Sequence, residues 1–288
     1  MSRPNNHRIS LAQINSYLTS IPKNIEHHLK QTETAIEEKS GLIIFPELSL
    51  SGYNIQDAGF DIAIRSDSEL LNSLKKQSNH ISILLGFPER GEHGEIFNSA
   101  CLLENGEAKI IHRKRYLPTY NVFDESRFFT RGNSIEPFLT KSGKTGVLIC
   151  EDSWHPGMAY LLAYQNIEQL IVMAASPYRS QLASETLDTM AKWNTICQSY
   201  AAMFQIPVYF VNRVGSEDGI LFWGGSSAFK AGGYKFAEAP KFEENLITVE
   251  CSKNEMMRDR YISTQFLDED LQWQFAQMEK LIRNEKDA

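Results

Sequence analysis

Short apolar runs alternate with longer amphipathic stretches along most of the chain. Apolar runs of strand length, bounded by glycine, proline or acidic residues, are typical of buried strands. They predict strands at residues 8–13, 42–45, 81–86, 97–103, 108–112, 146–150, 169–174 and 207–211. Apolar positions that recur every three or four residues predict helices at residues 22–39, 69–78, 157–165 and 183–204. This alternation of strands and helices indicates a layered α/β architecture.

Turn residues organise the remaining segments. Glu104-Asn105-Gly106-Glu107 predicts a tight hairpin between the strands at 97–103 and 108–112. Beyond Gly215, closely spaced glycines separate short strands up to residues 246–249. Residues 267–286 have a polar-apolar helical pattern without an obvious core partner. Because no linker or repeat interrupts the chain, we expect a single domain over residues 1–288, with residues 264–288 as a tail at a subunit interface.

The composition is that of an ordinary globular protein, with 42% hydrophobic and 23% charged residues among 288. The net charge of −7 argues against nucleic acid and anionic membranes as partners, because no basic stripe is present to neutralise phosphates. The N-terminus lacks the apolar core of a secretory signal, and no apolar run approaches the length of a bilayer span, which predicts a cytoplasmic protein. The four cysteines are widely spaced, so neither disulfides nor a zinc site is expected.

Three reactive side chains, Glu47, Lys114 and Cys150, each follow directly on a predicted strand. If these strands lie side by side with their carboxyl ends together, the three groups converge. Such a set suits acyl transfer from an amide, because an ammonium lowers the pKa of a nearby thiol and a carboxylate can carry the proton to the departing amine. Lys114 and the backbone N–H of Glu151 are candidates to hold the oxyanion of the tetrahedral intermediate.

The segments around these residues carry a family resemblance. Phe45-Pro46-Glu47-Leu48, Lys114-Arg115-Tyr116-Leu117-Pro118 and Ile149-Cys150-Glu151-Asp152-Ser153-Trp154 resemble the Glu, Lys and Cys motifs of the nitrilase, or carbon-nitrogen hydrolase, superfamily. Ser176-Pro177, Asn212-Arg213-Val214-Gly215 and Phe222-Trp223-Gly224-Gly225-Ser226 are similar to its later landmarks. Several separated motifs that match in order are more specific than any one of them.

The resemblance implies a four-layer α-β-β-α sandwich that forms a homodimer or higher homo-oligomer. It implies Cys150 as the nucleophile, Glu47 as the general base and Lys114 as the group that stabilises the intermediate. It also implies Glu125 as a second carboxylate that positions substrate or base, with the adjacent Asp124 as the alternative. No cofactor and no metal site are expected.

Four further residues are candidates for substrate binding: Tyr53, Glu151, Trp154 and Ser176. Tyr53 and Trp154 are equally compatible with packing, since aromatic residues near strand ends commonly pack. His155 is not expected to be the base, because the motif order supports a carboxylate. Ser142-Gly143-Lys144-Thr145 lacks the first glycine of a phosphate loop, since position 138 is Phe.

The leading interpretation is a cofactor-free amidase that acts on a small linear amide, with N-carbamoyl compounds as a related possibility. Residues 117–129 and 150–154 look most like the glutaminase domain of glutamine-dependent NAD synthetase. That domain is normally fused to a synthetase with a Ser-Gly-Gly-x-Asp-Ser loop, which the printed sequence lacks, so this second interpretation requires a separate synthetase as partner. A catalytically silent scaffold is the non-enzyme alternative, and the intact set of Glu47, Lys114 and Cys150 argues against it.

Overall fold

Two six-stranded sheets face each other at the centre of the fold, and helices cover their outer faces. The computed structural model describes residues 6–178, 183–263 and 268–284. The strands are β1 (Asn6–Gln13), β2 (Leu42–Ile44), β3 (Ser82–Arg90), β4 (Ile96–Glu104), β5 (Glu107–Arg113), β6 (Phe138–Thr140), β7 (Gly143–Ile149), β8 (Gln169–Ala174), β9 (Pro177–Tyr178), β10 (Val208–Asn212), β11 (Val214–Glu217), β12 (Ile220–Trp223), β13 (Ser227–Phe229), β14 (Lys235–Glu238) and β15 (Asn245–Ser252). The helices are α1 (Ile21–Glu37), α2 (Gly59–Ile62), α3 (Asn72–Gln77), α4 (Glu125–Phe128), α5 (Pro156–Tyr164), α6 (Ala183–Phe204), α7 (Lys253–Ile262) and α8 (Leu271–Asn284).

Sheet 1 has the strand order β15-β1-β2-β3-β4-β5, and sheet 2 has the order β14-β13-β10-β8-β7-β6. A small third sheet, β11-β12-β9, lies beside them. The central pairs β1–β2, β2–β3, β7–β8 and β8–β10 are parallel, whereas the outer pairs are antiparallel. Each six-stranded sheet therefore has a parallel centre and antiparallel edges.

Strand β2 shows why its apolar run is continuous. Leu42 and Ile44 belong to the core between the two sheets, whereas Ile43 and Phe45 belong to the core that sheet 1 forms with α1 and α3. Side chains alternate between the faces of a strand, so a strand that is buried on both faces has no polar positions. On the other side, Ala159 of α5 joins the core of sheet 2. The predicted four-layer α-β-β-α sandwich is confirmed.

Most predicted elements are present, with shifts at their ends. The segment 69–78 is a 3-10 turn, Glu69–Leu71, followed by α3, because the Ser68 side chain accepts the N–H of Leu70 and caps the turn. Helix α7 was not predicted, since its residues are mostly polar and Met256 is its buried residue. The predicted tail helix at 267–286 corresponds to α8, and residues 267, 285 and 286 lie outside the described residues.

The strands that carry the candidate catalytic residues do not lie side by side, so that expectation was wrong. Within sheet 1, β2 and β5 run in the same direction, but β3 and β4 separate them. Cys150 follows β7, which belongs to sheet 2. Convergence therefore depends on the stacking of the two sheets. A sequence pattern within single strands does not specify that stacking.

No helix in the described part of the chain is both long and apolar enough to cross a bilayer.

Candidate active site

A buried ammonium bridges two buried carboxylates where the two sheets meet. The Lys114 Nζ atom donates to Glu47 Oε1 at 2.6 Å and to Glu125 Oε1 at 2.7 Å. Lys114 follows directly on β5, Glu47 comes shortly after β2, and Glu125 begins α4 within the long segment after β5. The side chain of Lys114 is fully buried, as is that of Glu47, and that of Glu125 is 5% exposed. Of the two adjacent acids, Glu125 occupies the site, whereas Asp124 is exposed and lies 3.8 Å from Arg127.

Three donors fix the orientation of the Glu47 carboxylate. Besides Lys114, Asn98 Nδ2 donates to Glu47 Oε1 at 2.8 Å, and the backbone N–H of Ala175 donates to Oε2 at 2.9 Å. Asn98 lies on β4 of sheet 1, and Ala175 follows β8 of sheet 2. Glu47 is therefore held from both sheets. Asn98 was not singled out from the sequence; the signal was the polar pair Asn98-Ser99 inside a mainly apolar strand.

Cys150 lies at the floor of a pocket of about 220 Å³. It directly follows β7, begins a 3-10 turn, Cys150–Trp154, and has a φ of 46°. A non-glycine residue in this left-handed region costs of the order of 1 kcal/mol and persists where its surroundings hold it. The residue is buried, with 7% of its surface exposed. The thiol therefore lies just beyond the end of a strand of sheet 2, where it borders the pocket.

The environment of Cys150 favours the thiol over the thiolate. Burial and the charge of Glu47 raise the pKa of Cys150 well above its ordinary value, and the opposing effect of Lys114 is smaller. Lys114 does lower the pKa of the thiol, as the sequence suggested, but burial and the charge of Glu47 outweigh it. A nucleophile at this position needs a base to accept its proton as it attacks.

The three buried charges also change one another's protonation. Burial disfavours the ammonium of Lys114, but Glu125 and Glu47 outweigh burial and hold its pKa well above the ordinary value. Burial raises the pKa of Glu125 to about 7; Lys114 opposes this rise and Glu47 adds to it. The site thus has a permanent cation and one carboxyl group that titrates near neutral pH.

Tyr53 contacts the second carboxylate and does not line the Cys150 pocket. Its hydroxyl donates to Glu125 Oε1 at 2.5 Å. Both residues line a neighbouring depression of about 170 Å³. Burial, followed by the charges of Glu125 and Glu47, raises the pKa of Tyr53, so the hydroxyl keeps its proton and donates. Tyr53 orients Glu125, which differs from the substrate-lining position expected from the sequence.

The other candidate binding residues line the pocket together with Cys150: Glu151, Trp154 and Ser176. Glu151 Oε2 accepts the hydroxyl of Tyr120 at 2.8 Å. Trp154 is 38% exposed and packs edge-on against Trp193, with ring centroids 5.4 Å apart. Of the residues predicted as catalytic, Cys150 borders this pocket, whereas Glu47 and Lys114 are buried behind it and Glu125 lines the neighbouring depression.

The hydroxyl of Ser176 is restricted to one kind of contact with a ligand. Its oxygen accepts Nε1 of Trp193 at 2.9 Å and Nε1 of Trp223 at 3.1 Å. A hydroxyl has two acceptor lone pairs and one donor hydrogen. Since both lone pairs are used, Ser176 has only its hydrogen to offer to the pocket.

Asp152 and His112 were missed by the reasoning from sequence. Asp152 is fully buried, and its carboxylate accepts His112 Nε2 at 2.7 Å and the backbone N–H groups of Arg115 and Tyr116 at 3.0 and 2.9 Å. Asp152 stands within the cysteine motif, but its partner lies on β5, 40 residues away. A sequence pattern within either segment therefore could not identify His112 as the partner of Asp152.

The remaining motifs have structural positions. His155 stacks on Tyr116 with ring centroids 3.4 Å apart. Gly143-Lys144-Thr145 lie in β7 and so form no phosphate loop. In the described ranges, no group of three or more His, Cys, Asp and Glu side chains is arranged to hold a metal ion.

Comparison with known proteins agrees with this geometry. The carbon-nitrogen hydrolase family model matches residues 8–261. The glutamine-dependent NAD(+) synthetase of Acinetobacter baylyi is 31% identical over 242 residues, which are 83% of this chain and 43% of that protein. The chain spans about half the length of the curated relatives it matches.

Two solved structures superpose on the same fold. A carbon-nitrogen hydrolase from Helicobacter pylori G27 has a TM-score of 0.82 and 26% identity, and covers 92% of this chain and 96% of its own. A glutamine-dependent NAD+ synthetase from Acinetobacter baumannii, in complex with ADP, has a TM-score of 0.77 and 28% identity, over 87% of this chain and 46% of its own. With its stacked sheets and a family match over nearly its whole length, this chain belongs to the carbon-nitrogen hydrolase family.

Proposed function

We propose that this chain is an amidohydrolase that cleaves the C–N bond of a small linear amide through a thioester on Cys150. The observation that carries the proposal is the Lys114 ammonium, which is held between Glu47 and Glu125 beside a thiol that borders a pocket. The charges of Glu47, Lys114 and Glu125 all shift the pKa of the Cys150 thiol. This supports the action of the three groups on one reacting centre. Membership of the carbon-nitrogen hydrolase family supports the same reaction class.

In the first half-reaction, the Cys150 sulfur attacks the amide carbon as Glu47 accepts the thiol proton. The raised pKa of Cys150 requires this base. Lys114 and the backbone N–H of Glu151 stabilise the oxyanion; one such donor typically contributes about 3 kcal/mol. Glu47 then passes the proton to the nitrogen, the C–N bond breaks, and ammonia leaves behind a thioester.

In the second half-reaction, Glu47 activates a water molecule that attacks the thioester carbon. The C–S bond breaks, the sulfur regains a proton from Glu47, and the carboxylic acid leaves. The cycle consumes one water and needs neither an oxidant nor a cofactor. The bonds of Glu47 to Asn98 and Ala175 keep the same carboxylate in place for both steps.

The test is mass spectrometry of the protein after brief exposure to a panel of amides, with turnover measured in parallel. We expect an acyl adduct on Cys150 and complete loss of turnover in Cys150→Ala, with an unchanged circular dichroism spectrum. Cys251→Ser is the matched control, because Cys251 lies at a separate depression and should leave turnover intact. Turnover by Cys150→Ala at the wild-type rate would rule out the proposal.

Glutamine is the amide that we favour as substrate. The relatives named above are glutamine-dependent, and the pocket has groups that suit an amino-acid headgroup. Glu151 supplies a carboxylate for an ammonium, and Ser176 supplies a hydroxyl hydrogen for a carboxylate. Lys192, which also lines the pocket, adds positive charge.

Replacing the Glu151 side chain tests this choice without removing its backbone N–H. Glu151→Gln should raise KM for glutamine about tenfold or more, since a charge-assisted contact contributes about 1.5 to 3 kcal/mol. The KM for propionamide, which has no headgroup, should stay constant, and Tyr120→Phe serves as the milder control. Efficient hydrolysis of propionamide or of an N-carbamoyl compound without hydrolysis of glutamine would favour the broader amidase.

A glutaminase of this kind would deliver ammonia to a synthetase. The relatives' printed name supports that destination, and we propose a separate synthetase as partner. Addition of an ammonia-dependent NAD synthetase should accelerate glutamine hydrolysis. An unchanged rate over a range of synthetase concentrations would argue against the partnership.

A further inference from the structure

A single buried carboxylate connects the ends of the two strands that carry Lys114 and Cys150. Asp152 is fully buried. Its Oδ1 accepts the N–H groups of Arg115 at 3.0 Å and Tyr116 at 2.9 Å, which follow β5 of sheet 1. Its Oδ2 accepts Nε2 of His112 at 2.7 Å and the N–H of Ile149 at 3.3 Å, which ends β7 of sheet 2.

These partners flank the reacting groups without being part of them. His112, Arg115 and Tyr116 stand on both sides of Lys114 in the chain, and Ile149 directly precedes Cys150. Movement of the β5 end relative to the β7 end would therefore stretch bonds to one carboxylate. Since β5 and β7 belong to different sheets, no ladder of backbone hydrogen bonds joins them.

The backbone at Cys150 needs such support. Its left-handed conformation is unfavourable for a residue with a Cβ, and strain of this kind is retained only where neighbouring contacts over-determine it. Asp152 closes the same turn through the N–H of Ile149. One residue thus holds the strained nucleophile turn and the chain on both sides of the lysine.

We propose that Asp152, together with His112, is a positioning residue that fixes Lys114 relative to the Cys150 thiol across the gap between the sheets. The inference rests on the proposed amide hydrolysis and deepens it. Neither residue contacts the pocket lined by Cys150, Glu151 and Ser176. Loss of the pair should therefore reduce kcat and leave KM nearly constant.

All four partners donate hydrogen bonds to the two oxygens of Asp152. The side chain must therefore be a carboxylate, whose oxygens only accept. An asparagine has one acceptor oxygen and an NH₂ group that only donates. In either orientation, the NH₂ group of Asp152→Asn would face at least one backbone N–H, from Ile149 or from Arg115 and Tyr116. Displacement of about 1 Å at a reacting group can reduce a rate about 100-fold.

The experiment measures kcat, KM and thermal stability for Asp152→Asn with the best amide substrate. We expect kcat to fall about 100-fold and KM to change less than threefold. Gln169→Met is the matched control, because Gln169 makes a buried hydrogen bond to Thr145 at the opposite end of β7 and β8 and should leave kcat unchanged. A kcat of Asp152→Asn within twofold of wild type would overturn the inference.

A pair of variants at His112 decides the matter if Asp152→Asn does not fold. Gln can donate to Asp152 from nearly the position of the imidazole Nε2, whereas Leu fills the space without a donor. We expect His112→Leu to reduce kcat about tenfold and His112→Gln to restore it to within threefold of wild type. Equal kcat values for the two variants would overturn the inference.

Failure of the inference is distinguishable from failure of the proposed function. If Cys150→Ala is inactive while the Asp152 and His112 variants keep wild-type kcat, the hydrolase stands and the positioning role does not. If Cys150→Ala remains active, the proposed function itself fails.

Discussion

Lys114 shows how one buried cation sets the protonation of its neighbours. Two carboxylates share one ammonium, so the group carries an excess negative charge when both are ionised. Burial is the main cause of the rise of the Glu125 pKa to about 7, and the charge of Glu47 adds to it against the opposing charge of Lys114. At Cys150, burial and then the charge of Glu47 outweigh Lys114, so the thiol keeps its proton.

A first prediction concerns the pH dependence of stability through Glu125. Its pKa is raised from 4.5 in the unfolded chain to about 7, so the native state holds this proton longer than the unfolded state does. The contribution of Glu125 to the free energy of unfolding should therefore decrease as pH rises from 4.5 to 7, by about 3 kcal/mol, and stay constant above.

Urea denaturation of the wild type and of Glu125→Gln at several pH values measures this contribution as the difference between the two proteins. Glu89→Gln is a control, since Glu89 is also buried but is paired with Arg113. A difference between wild type and Glu125→Gln that stays constant from pH 4.5 to 7 would contradict the raised pKa.

A second prediction concerns the removal of the cation. Lys114→Met leaves Glu47 and Glu125 buried without their shared partner, and should lower the free energy of unfolding by about 3 to 5 kcal/mol at pH 8. The loss should be smaller at pH 5, because protonation then relieves the unpaired carboxylates. The exposed pair of Lys230 and Glu255 provides the control Lys230→Met, whose effect should stay within about 0.5 kcal/mol. Equal losses at the two pH values would contradict the electrostatic explanation.

At the level of elements, local signals located most strands and helices. The turn between β4 and β5 was predictable because Asn105 and Gly106 both adopt positive φ, which these residue types tolerate. Helix α6 matches the predicted bounds 183–204 because its apolar positions repeat with helical period over its whole length. The glycine-separated short strands beyond Gly215 include the β11–β12 hairpin, but the pairing of β9 with β12 was not predicted, since more than 40 residues separate the two strands.

Site residues that belong to a sequence motif could be predicted. Site residues whose contacts form between separate helices, strands or sheets could not. Glu47, Lys114 and Cys150 follow strands and stand in recognisable segments. Asp152 joins two sheets, and Tyr53 points its hydroxyl at Glu125, contacts that depend on how layers stack. Local propensity carries no information on that stacking. Their roles in catalysis stay predictions that the variants described here test.

A third prediction concerns the segment after β2, which a hairpin from the third sheet holds in place. Glu217 of β11 accepts the N–H groups of Tyr53 at 2.9 Å and Asn54 at 3.0 Å, and forms a buried ion pair with Arg213. Glu217→Gln leaves Arg213 buried without a counter-charge and should lower the free energy of unfolding by about 3 to 5 kcal/mol. It should also reduce kcat, because Tyr53 orients Glu125.

Asp218→Asn is the matched control for Glu217→Gln. Asp218 is the adjacent acid, is exposed, and contacts Asn54 through its side chain. We expect its effect on unfolding to stay within about 0.5 kcal/mol and its kcat to equal that of wild type. Urea denaturation and steady-state kinetics of the two variants measure both quantities. Equal behaviour of the variants would show that the buried ion pair does not hold the segment.

At the scale of the whole molecule, α8 presents large apolar side chains to the surface: Leu271, Trp273, Phe275, Met278, Leu281 and Ile282. The face formed by Leu271, Phe275, Met278, Leu281 and Ile282 fits the expectation that residues 264–288 lie at a subunit interface. That position is a prediction, as are homodimerisation and a cytoplasmic location. Residues 264–267 and 285–288 lie outside the described ranges.

A fourth prediction follows for chains that end at Ser263. Removal of residues 264–288 should reduce the particle mass measured by light scattering after size-exclusion chromatography. Full-length Phe275→Ser/Leu281→Ser should give the same reduction, since it changes only the exposed apolar face of α8. If both variants keep the oligomeric state of the wild type, the tail does not contribute to the subunit interface.

The pairing of β1 with β15 has a consequence for biosynthesis. Arg8 pairs with Glu250 and Ile9 pairs with Val249. During translation, β1 is therefore made long before its partner β15, the last strand of the same sheet. At 5 to 20 residues per second, translation leaves that edge of β1 uncovered for roughly 10 to 50 seconds. An unpaired apolar edge is a template for association between chains. Nascent polypeptides that stall before residues 245–252 have left the ribosome should therefore aggregate or recruit chaperones, whereas chains long enough to expose those residues should complete the sheet.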